Sequence, residues 1–165
     1  YLNMVKQCMS ENHGFVIVLK INDSSEFGIS KKGTYVEIID FNTLPNGFLG
    51  ITVKADNKVS INNVCQLADG LHIADVKPEI DPEVDNQALL AEYPEITNIL
   101  SQIIKHPKIN ELPIKVDFNS ADSIAYHLAG LIPLTSSQKQ NLLEAFDASQ
   151  RLSILAKYIE KISTL

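Results

Sequence analysis

The chain has 165 residues, of which 45% are hydrophobic and 21% are charged, and its formal net charge at pH 7 is −6. That length suits one ordinary core or two small lobes, and no apolar run reaches the roughly 18 to 20 residues of a membrane helix. Arg151 is the only arginine, so the basic stripe that nucleic-acid binding requires is missing and no nucleic-acid partner is expected. Cys8 and Cys65 do not make a disulfide framework, which favours a reducing, cytoplasmic setting.

The first residues predict a helix, with Leu2, Val5 and Met9 on one face. They lack the basic start, apolar middle and small-residue cleavage site of a signal peptide. Because the sequence starts at Tyr1, without Met and already within this helical pattern, we expect it to be a fragment that lacks its true beginning.

Residues 15–54 carry patterns typical of β-strands. A nearly continuous apolar run at residues 15–21 predicts a strand buried on both faces. The imperfect alternation of residues 34–41 predicts a strand with both faces partly covered. After it, the residues Leu44-Pro45-Asn46-Gly47-Phe48 predict a tight hairpin, because proline presets φ and Asn-Gly tolerates positive φ.

Two further turns and a linker are predicted after this hairpin. Asp56-Asn57 should separate the strand at residues 49–54 from the next one, and Asp69-Gly70 should precede a last strand at residues 71–76. Residues 77–85 contain two prolines and several acidic side chains, which is typical of a linker. The sequence therefore predicts a β-rich domain at residues 1–84 and a helical domain at residues 85–165.

The second domain is predicted to be a small helical bundle. Pro94 should kink or split its first amphipathic helix, and residues 108–118 should form an extended connection. Asn119 or Ser120 should cap a helix at residues 121–131. The remaining signals are a Thr135-x-x-Gln138 capping box before a helix that buries Leu142, Leu143 and Phe146, and Asp147 before the last helix.

Short chemical motifs give weak signals in this sequence. Ser136 and Lys139 have the spacing of a Ser-Lys acyl-transfer pair, but they lie in the first turn of a polar helix, where lysine is normally solvated. The four histidines are scattered, and no phosphate-binding glycine loop occurs. The residues thus predict no catalytic, cofactor-binding or metal-binding side chain.

A longer pattern is more specific. The residues Gly33-Thr34-Tyr35-Val36-Glu37-Ile38, then Leu44-Pro45-Asn46-Gly47 and a strand, resemble the amino-terminal substrate-binding domain of Lon proteases. The stretch SADSIAYHLAGLIPL at residues 120–134 is similar to bacterial stand-alone Lon-domain proteins. The similarity covers nearly the whole chain, although the family's proline-rich opening is missing ahead of Tyr1 and residues 54–61 lack an arginine that many members have.

This resemblance implies an α+β fold, in which a small six-stranded β pseudo-barrel of the PUA-like type is followed by a carboxy-terminal helical bundle. It implies no enzymatic activity and no cofactor for this region, whose role in the family is to bind unfolded or tagged protein substrates and to help assembly. The expected partners are therefore such polypeptides, an ATP-dependent protease and further copies of the chain.

Apolar residues near loops are the candidates for polypeptide binding, through a surface patch or by addition of a strand to an exposed sheet edge. They are Phe27, Ile29, Leu44 and Phe48. Two alternatives stay open: the chain is the amino-terminal part of a full-length ATP-dependent Lon protease, a serine peptidase, or it is a hydrolase that uses Ser136 and Lys139.

Overall fold

The computed structural model of the chain describes residues 1–21 and 27–163. They fold as two compact units, Tyr1–Ile80 and Asp81–Leu165. The first unit holds one sheet and the second holds helices, so the predicted α+β class is confirmed. The domain boundary after Val84 stays a prediction, although residues that follow Ile80 already belong to the second unit. Within the described residues, no helix is long and apolar enough to cross a membrane.

The first unit begins with a helix, α1 (Leu2–Glu11). The helix ends at Asn12, whose φ of 54° lies in the left-handed region that asparagine tolerates. Val5 and Cys8 are its buried residues, whereas Leu2 and Met9 are about half exposed. The predicted helix is therefore confirmed, but of the predicted stripe only Val5 is buried, and Cys8 rather than Leu2 or Met9 is buried with it.

Four antiparallel strands form a single sheet in the described part of the first unit, in the order β1-β2-β3-β4. They are β1 (Phe15–Lys20), β2 (Ile29–Thr43), β3 (Leu49–Gln66) and β4 (His72–Pro78). Because β1 lies at an edge and Ile17 is half exposed, the prediction of a first strand buried on both faces is wrong. The family resemblance implies six strands, whereas the described part of this unit contains four.

The predicted turn at Asp56-Asn57 is also wrong, because β3 continues through it without a break. Asn57 pairs with Tyr35 and Ala55 pairs with Val36, so Asp56 is one extra residue on β3. Such an insertion is a β-bulge, which bends a strand and accepts polar residues without ending it. A short polar pair such as Asp56-Asn57 is thus compatible with either a turn or a bulge.

The two predicted hairpin turns are confirmed. Gly47 and Gly70 both have the positive φ that these turns require, at 78° and 88°. In the first turn the Leu44 N–H donates to the Phe48 carbonyl over 2.9 Å. In the second the Leu67 N–H donates to the Leu71 carbonyl over 2.8 Å.

The second unit contains six helices among its described residues. They are α2 (Asn86–Glu92), α3 (Pro94–Ile103), α4 (Pro107–Asn110), α5 (Ala121–Leu131), α6 (Ser136–Glu144) and α7 (Ala148–Ser163). Pro94 occupies the first position of α3 and splits the predicted first helix, as expected from its missing N–H. The predicted extended connection at residues 108–118 is wrong at its start, where α4 makes one helical turn.

Side-chain caps start four of these helices: three were predicted, and the fourth is Asp85, which accepts from the Ala88 N–H ahead of α2. Ser120 Oγ accepts from the Ser123 N–H, and Asp147 Oδ1 accepts from the Gln150 N–H. Thr135 and Gln138 form a complete capping box. Phe146, predicted to be buried, is instead 67% exposed, because α6 ends at Glu144 and Phe146 lies in the connection to α7.

Helices α3, α5, α6 and α7 enclose the apolar core of the second unit. Its fully buried members include Ile96, Leu100, Ile124, Leu128, Leu152 and Leu155. At roughly 25 cal/mol per Å² of buried apolar surface, each such side chain contributes about 1.5 to 3 kcal/mol to stability.

Arg151 is fully buried beside this core. Its guanidinium donates to Asp81 over 2.6 Å and to Asp122, and its Nε donates to the Leu142 carbonyl over 2.9 Å. Its charge also lies 4.4 Å from the ring centre of Tyr126. The arginine thereby joins the first residue of the unit to α5 and α7.

Tyr126 should ionise later than an ordinary tyrosine, because burial raises its pKa to about 12. Any stability that comes from the neutral phenol is then present below pH 10 and is lost as the pH rises towards 12. Titration of ¹³C-labelled tyrosine by NMR should show one ring signal that shifts well above pH 10 and is absent from Tyr126→Phe. A Tyr126 signal that titrates near pH 10 would contradict the burial argument.

Candidate functional site

The hairpin that joins β2 and β3 is exposed along its whole distal end. Every residue from 39 to 49 is exposed, including Phe48 at 67% and Ile39 at 59%. The backbone of this end is nevertheless regular, with pairs from Asp40↔Thr52 to Thr43↔Leu49. The hairpin therefore presents side chains to solvent from a fixed backbone.

The strand register sorts these side chains into two faces. Paired residues of antiparallel strands lie on the same side of a sheet, and neighbours alternate. The pairs Phe41↔Ile51 and Thr43↔Leu49 therefore share one face. The pairs Asp40↔Thr52 and Asn42↔Gly50 share the other, so one face of these paired residues is more apolar than the other.

Two of the predicted binding residues lie at this end of the hairpin. Leu44 precedes its turn and Phe48 follows it, and both are exposed. We name these two residues, Phe41 and Leu49 the hairpin patch (Phe41, Leu44, Phe48 and Leu49). By alternation, Leu44 and Phe48 continue the face of Asn42 and Gly50, whereas Phe41 and Leu49 lie on the other face, so the patch surrounds the end of the hairpin. The predictions missed Phe41 and Leu49, although alternation along the two strands gave a signal for both.

The other two predicted residues lie at the opposite end of β2. Ile29 is the first residue of this strand of 15 residues, which spans roughly 45 Å if straight. Phe27 just before it contacts His72 edge to face, with 5.6 Å between ring centres. Phe27, Ile29, Leu44 and Phe48 thus do not form one surface, because the loops near which they lie are at opposite ends of a long strand.

Ile29 lines a second candidate site, an apolar cavity of about 510 Å³ that residues of the sheet and of α1 line together. The register places Val16 with Tyr35 and Ile61 with Val76, and all four side chains line it. Both edge strands, β1 and β4, contribute lining residues. We name it the edge cavity, and the predictions named only Ile29 among its residues.

Polar side chains that line the edge cavity near α1 form hydrogen bonds with the backbone of Gly14. The Gly14 N–H donates to the Tyr35 hydroxyl over 2.6 Å, and the buried Cys8 thiol lies 3.5 Å from the Gly14 carbonyl. Burial raises the pKa of that thiol. His13 Nδ1 donates to the same carbonyl over 2.7 Å, which raises the pKa of His13.

The residues considered for chemistry are dispersed. Ser136 and Lys139 are both exposed in the first turn of α6, where a solvated lysine is a poor general base. His127 is half buried on α5 and bonds the Ser123 carbonyl over 2.6 Å, as expected for a histidine at the edge of a core. In the described ranges, no three His, Cys, Asp or Glu side chains are grouped so as to hold a metal ion.

Comparison with known proteins gives the family. The family model described as "ATP-dependent protease La (LON) substrate-binding domain" matches residues 1–161. The Lon protease of Bacillus thuringiensis (strain Al Hakam) is 24% identical over 161 residues, which is 92% of this chain and 20% of that protein. The chain thus spans about a fifth of the length of this relative.

Solved structures agree on the fold. The Lon N-terminal domain protein from Xanthomonas campestris superposes with a TM-score of 0.73 at 22% identity, over 96% of this chain and 83% of that one. The N-terminal domain of Mycobacterium avium complex Lon protease superposes with a TM-score of 0.59 at 20% identity, over 88% and 90%. The resemblance read from residues 33–47 and 120–134 is therefore confirmed. The chain belongs to the LON substrate-binding domain family.

Proposed function

We propose that this chain is a non-catalytic domain that binds unfolded or tagged polypeptides through the hairpin patch. The exposure of four large apolar side chains on one regular hairpin carries the proposal. Large apolar side chains exposed together at one end of a protein are a usual mark of a surface that binds other proteins. Unfolded polypeptides expose apolar side chains that folded proteins bury, so this patch would select them by the hydrophobic effect.

The chemistry of the hairpin suits partners of varied sequence. Its two strands pair with each other at this end, which holds the exposed side chains in place for contact with a partner. Phe41 and Phe48 bring large contact areas with few rotatable bonds, which lowers the entropy cost of binding. Nucleic acid is a poor alternative partner, since the only arginine is buried and the net charge is −6.

Similarity to the Bacillus Lon protease, together with a family model described by an ATP-dependent protease, supports a role in ATP-dependent proteolysis. The domain would then capture substrates for a protease, either as part of the same polypeptide or as a separate protein. The intact mass of the native gene product distinguishes these two cases. A mass near 18.3 kDa would contradict the first of them.

A bacterial cytoplasm is the compartment that we propose for this activity. Cys8 and Cys65 are both free thiols, and Cys65 is exposed. An exposed thiol persists in a reducing compartment and tends to be oxidised outside it.

Phe48→Ser should weaken binding of an unfolded polypeptide about tenfold or more, because buried aromatic anchors contribute most of the energy of such contacts. The measurement is fluorescence anisotropy of the 165-residue chain with labelled, reduced and carboxymethylated α-lactalbumin, which cannot refold. Since Phe48 is 67% exposed, we expect the melting temperature to change little.

Ile80→Ser is the matched control for this substitution. Ile80 is 91% exposed and lies outside the hairpin, so its replacement removes a comparable apolar side chain from another surface. We expect binding to stay within twofold. Equal losses in both variants would contradict the hairpin patch, and absence of binding by the unmodified chain would contradict the proposed function.

A further inference from the structure

One charged residue lies at the exposed end of the hairpin. Among residues 39–53 the only charged side chain is that of Asp40, and it is exposed. The next charged residues along the two strands, Glu37 and Lys54, are cross-strand partners, so their opposite charges offset each other. This end of the hairpin therefore carries one uncompensated negative charge.

The Asp40 carboxylate has no cation beside it in the described part of the chain. None of the ion pairs there includes Asp40. Its Oδ1 accepts from the Phe41 N–H over 2.8 Å. A carboxylate has several acceptor positions, so the second oxygen can bond a cationic group of a partner.

Asp40 shares a face of the hairpin with two members of the hairpin patch. Alternation along the strands places Leu44 and Phe48 on the same face as Asp40. At 3.3 Å per residue, Asp40 and Leu44 lie roughly 13 Å apart along the hairpin. Between them the Asn42 side chain lies across Gly50, because a Cβ atom at Gly50 would overlap the Asn42 amide oxygen. From the turn inwards, this face thus presents apolar side chains, an amide and a carboxylate.

We propose that the hairpin patch selects unfolded segments in which a lysine or arginine stands about two to four residues from a large apolar residue. The apolar residue contacts Leu44 and Phe48 while the cation reaches Asp40. Four extended residues span roughly 13 Å, and the long side chain of lysine or arginine allows a shorter spacing. This proposal rests on the proposed function, since it names which polypeptides that site prefers.

Charge should set the order of the partners, whereas the apolar contacts decide whether they bind. An exposed ion pair changes an equilibrium constant by up to about fivefold, and salt screens it. Burial of apolar surface does not weaken in this way when salt is added. The preference for basic segments should therefore disappear at high salt while binding itself persists.

The test uses one unfolded protein that carries three different charges at the same positions. Reduced α-lactalbumin is alkylated at its cysteines with iodoacetate, iodoacetamide or bromoethylamine, which adds a negative, a neutral or a positive group and keeps every other side chain. In anisotropy titrations with the 165-residue chain at low salt, the aminoethylated form should bind at least tenfold more tightly than the carboxymethylated form, with the neutral form between them. In 1 M NaCl the three affinities should agree within about twofold. Equal affinities at low salt overturn the proposal.

A matched pair of variants separates Asp40 from the net charge of the chain. Asp69 lies in the turn at the other end of β3, is exposed, and likewise accepts a backbone N–H, from Leu71 over 3.1 Å. Asparagine removes the charge at either position and keeps an oxygen that can accept this bond. Asp40→Asn should lower the ratio of the aminoethylated to the carboxymethylated affinity at least threefold, and Asp69→Asn should change it less than 1.5-fold. Equal changes in the two variants would show that net charge alone sets the order, which overturns the proposal.

The same titrations separate this proposal from the proposed function. Equal binding of all three forms overturns the charge preference alone, whereas absence of binding by all three overturns the proposed function as well. Phe48→Ser should weaken the three forms to the same extent, because it removes an apolar contact and no charge. The native gene product should give the same order of affinities, and an order that only the 165-residue chain shows overturns the proposal.

Discussion

Replacing Arg151 with methionine should lower the free energy of unfolding of the second unit by about 3 kcal/mol, which is the range for breaking a buried ion pair. Methionine keeps an unbranched apolar stem but removes the hydrogen bonds to Leu142, Asp122, Asp81 and Ala145. The Asp81 carboxylate loses its ion pair with the guanidinium, although its side chain is only 17% exposed. The Leu142 carbonyl loses the N–H that donates to it. Asp122 is less affected, because its side chain is 40% exposed and regains water.

Hydrogen exchange read by mass spectrometry can assign this loss to the second unit. Exchange of α5 and α7 amides should accelerate in Arg151→Met, and the melting temperature should fall by roughly 10 °C or more. Lys157→Met on the exposed side of α7 is the matched control, and we expect its effect to stay within about 0.5 kcal/mol. A melting temperature within 2 °C of the unmodified protein would contradict the ion-pair argument.

A double replacement separates the charge from the packing of this site. Removing both charges from a buried pair is often close to neutral, whereas removing one is costly. Arg151→Met with Asp81→Asn should therefore recover part of the stability that Arg151→Met loses. No recovery would show that the guanidinium contributes mainly through its bonds to the Leu142 and Ala145 carbonyls.

The second large effect is expected at Gly14, where α1 leads into β1. A Cβ atom at this position would overlap the Val36 carbonyl oxygen and lie 2.9 Å from the Tyr35 ring. The Val36 carbonyl is backbone within the sheet, so it cannot move without disturbing the pairing of Phe15 with Val36. Gly14→Ala should destabilise the first unit by about 2 to 3 kcal/mol, as measured by exchange of β1 and β2 amides.

Gly130→Ala is the control for this change, because a Cβ atom there meets no atom within 4 Å. Gly130 lies inside α5, where alanine is the better helix former by about 1 kcal/mol. The control should therefore be neutral or stabilising. If Gly14→Ala lowers the free energy of unfolding and Gly130→Ala does not, the difference is due to the clash at Gly14. If both variants change the free energy of unfolding in the same direction, the clash is contradicted.

Features that depend on a few neighbouring residues were predictable from the sequence. The caps at Ser120 and Thr135, the split at Pro94 and the positive φ of Gly47 are each set by local chemistry, and all are confirmed. The length of β3 was not predictable in this way. Whether Asp56-Asn57 forms a turn or a bulge depends on the register with Tyr35 and Val36, which only the pairing of the strands decides.

In the candidate site, too, some features were predictable from neighbouring residues and others were not. Exposure of Leu44 and Phe48 follows from a turn that the sequence signals clearly. Their separation from Phe27 and Ile29 follows from the unbroken length of β2, which the sequence does not signal.

The burial of Arg151 had a signal that the sequence analysis did not use. Ala148, Leu152 and Leu155 are three positions before, one after and four after it, so the arginine falls on the apolar stripe of α7. On that stripe a charged residue needs partners, and Asp81 and Asp122 supply them from distant parts of the sequence.

The single arginine also gives the chain one cleavage site for a protease that cuts only after arginine. In the folded protein the bond that follows Arg151 lies within α7, where the side chain that such a protease must bind is fully buried. Cleavage therefore requires the second unit to open first. The appearance of two fragments, divided after residue 151, would measure the population of that opened state in a single gel lane.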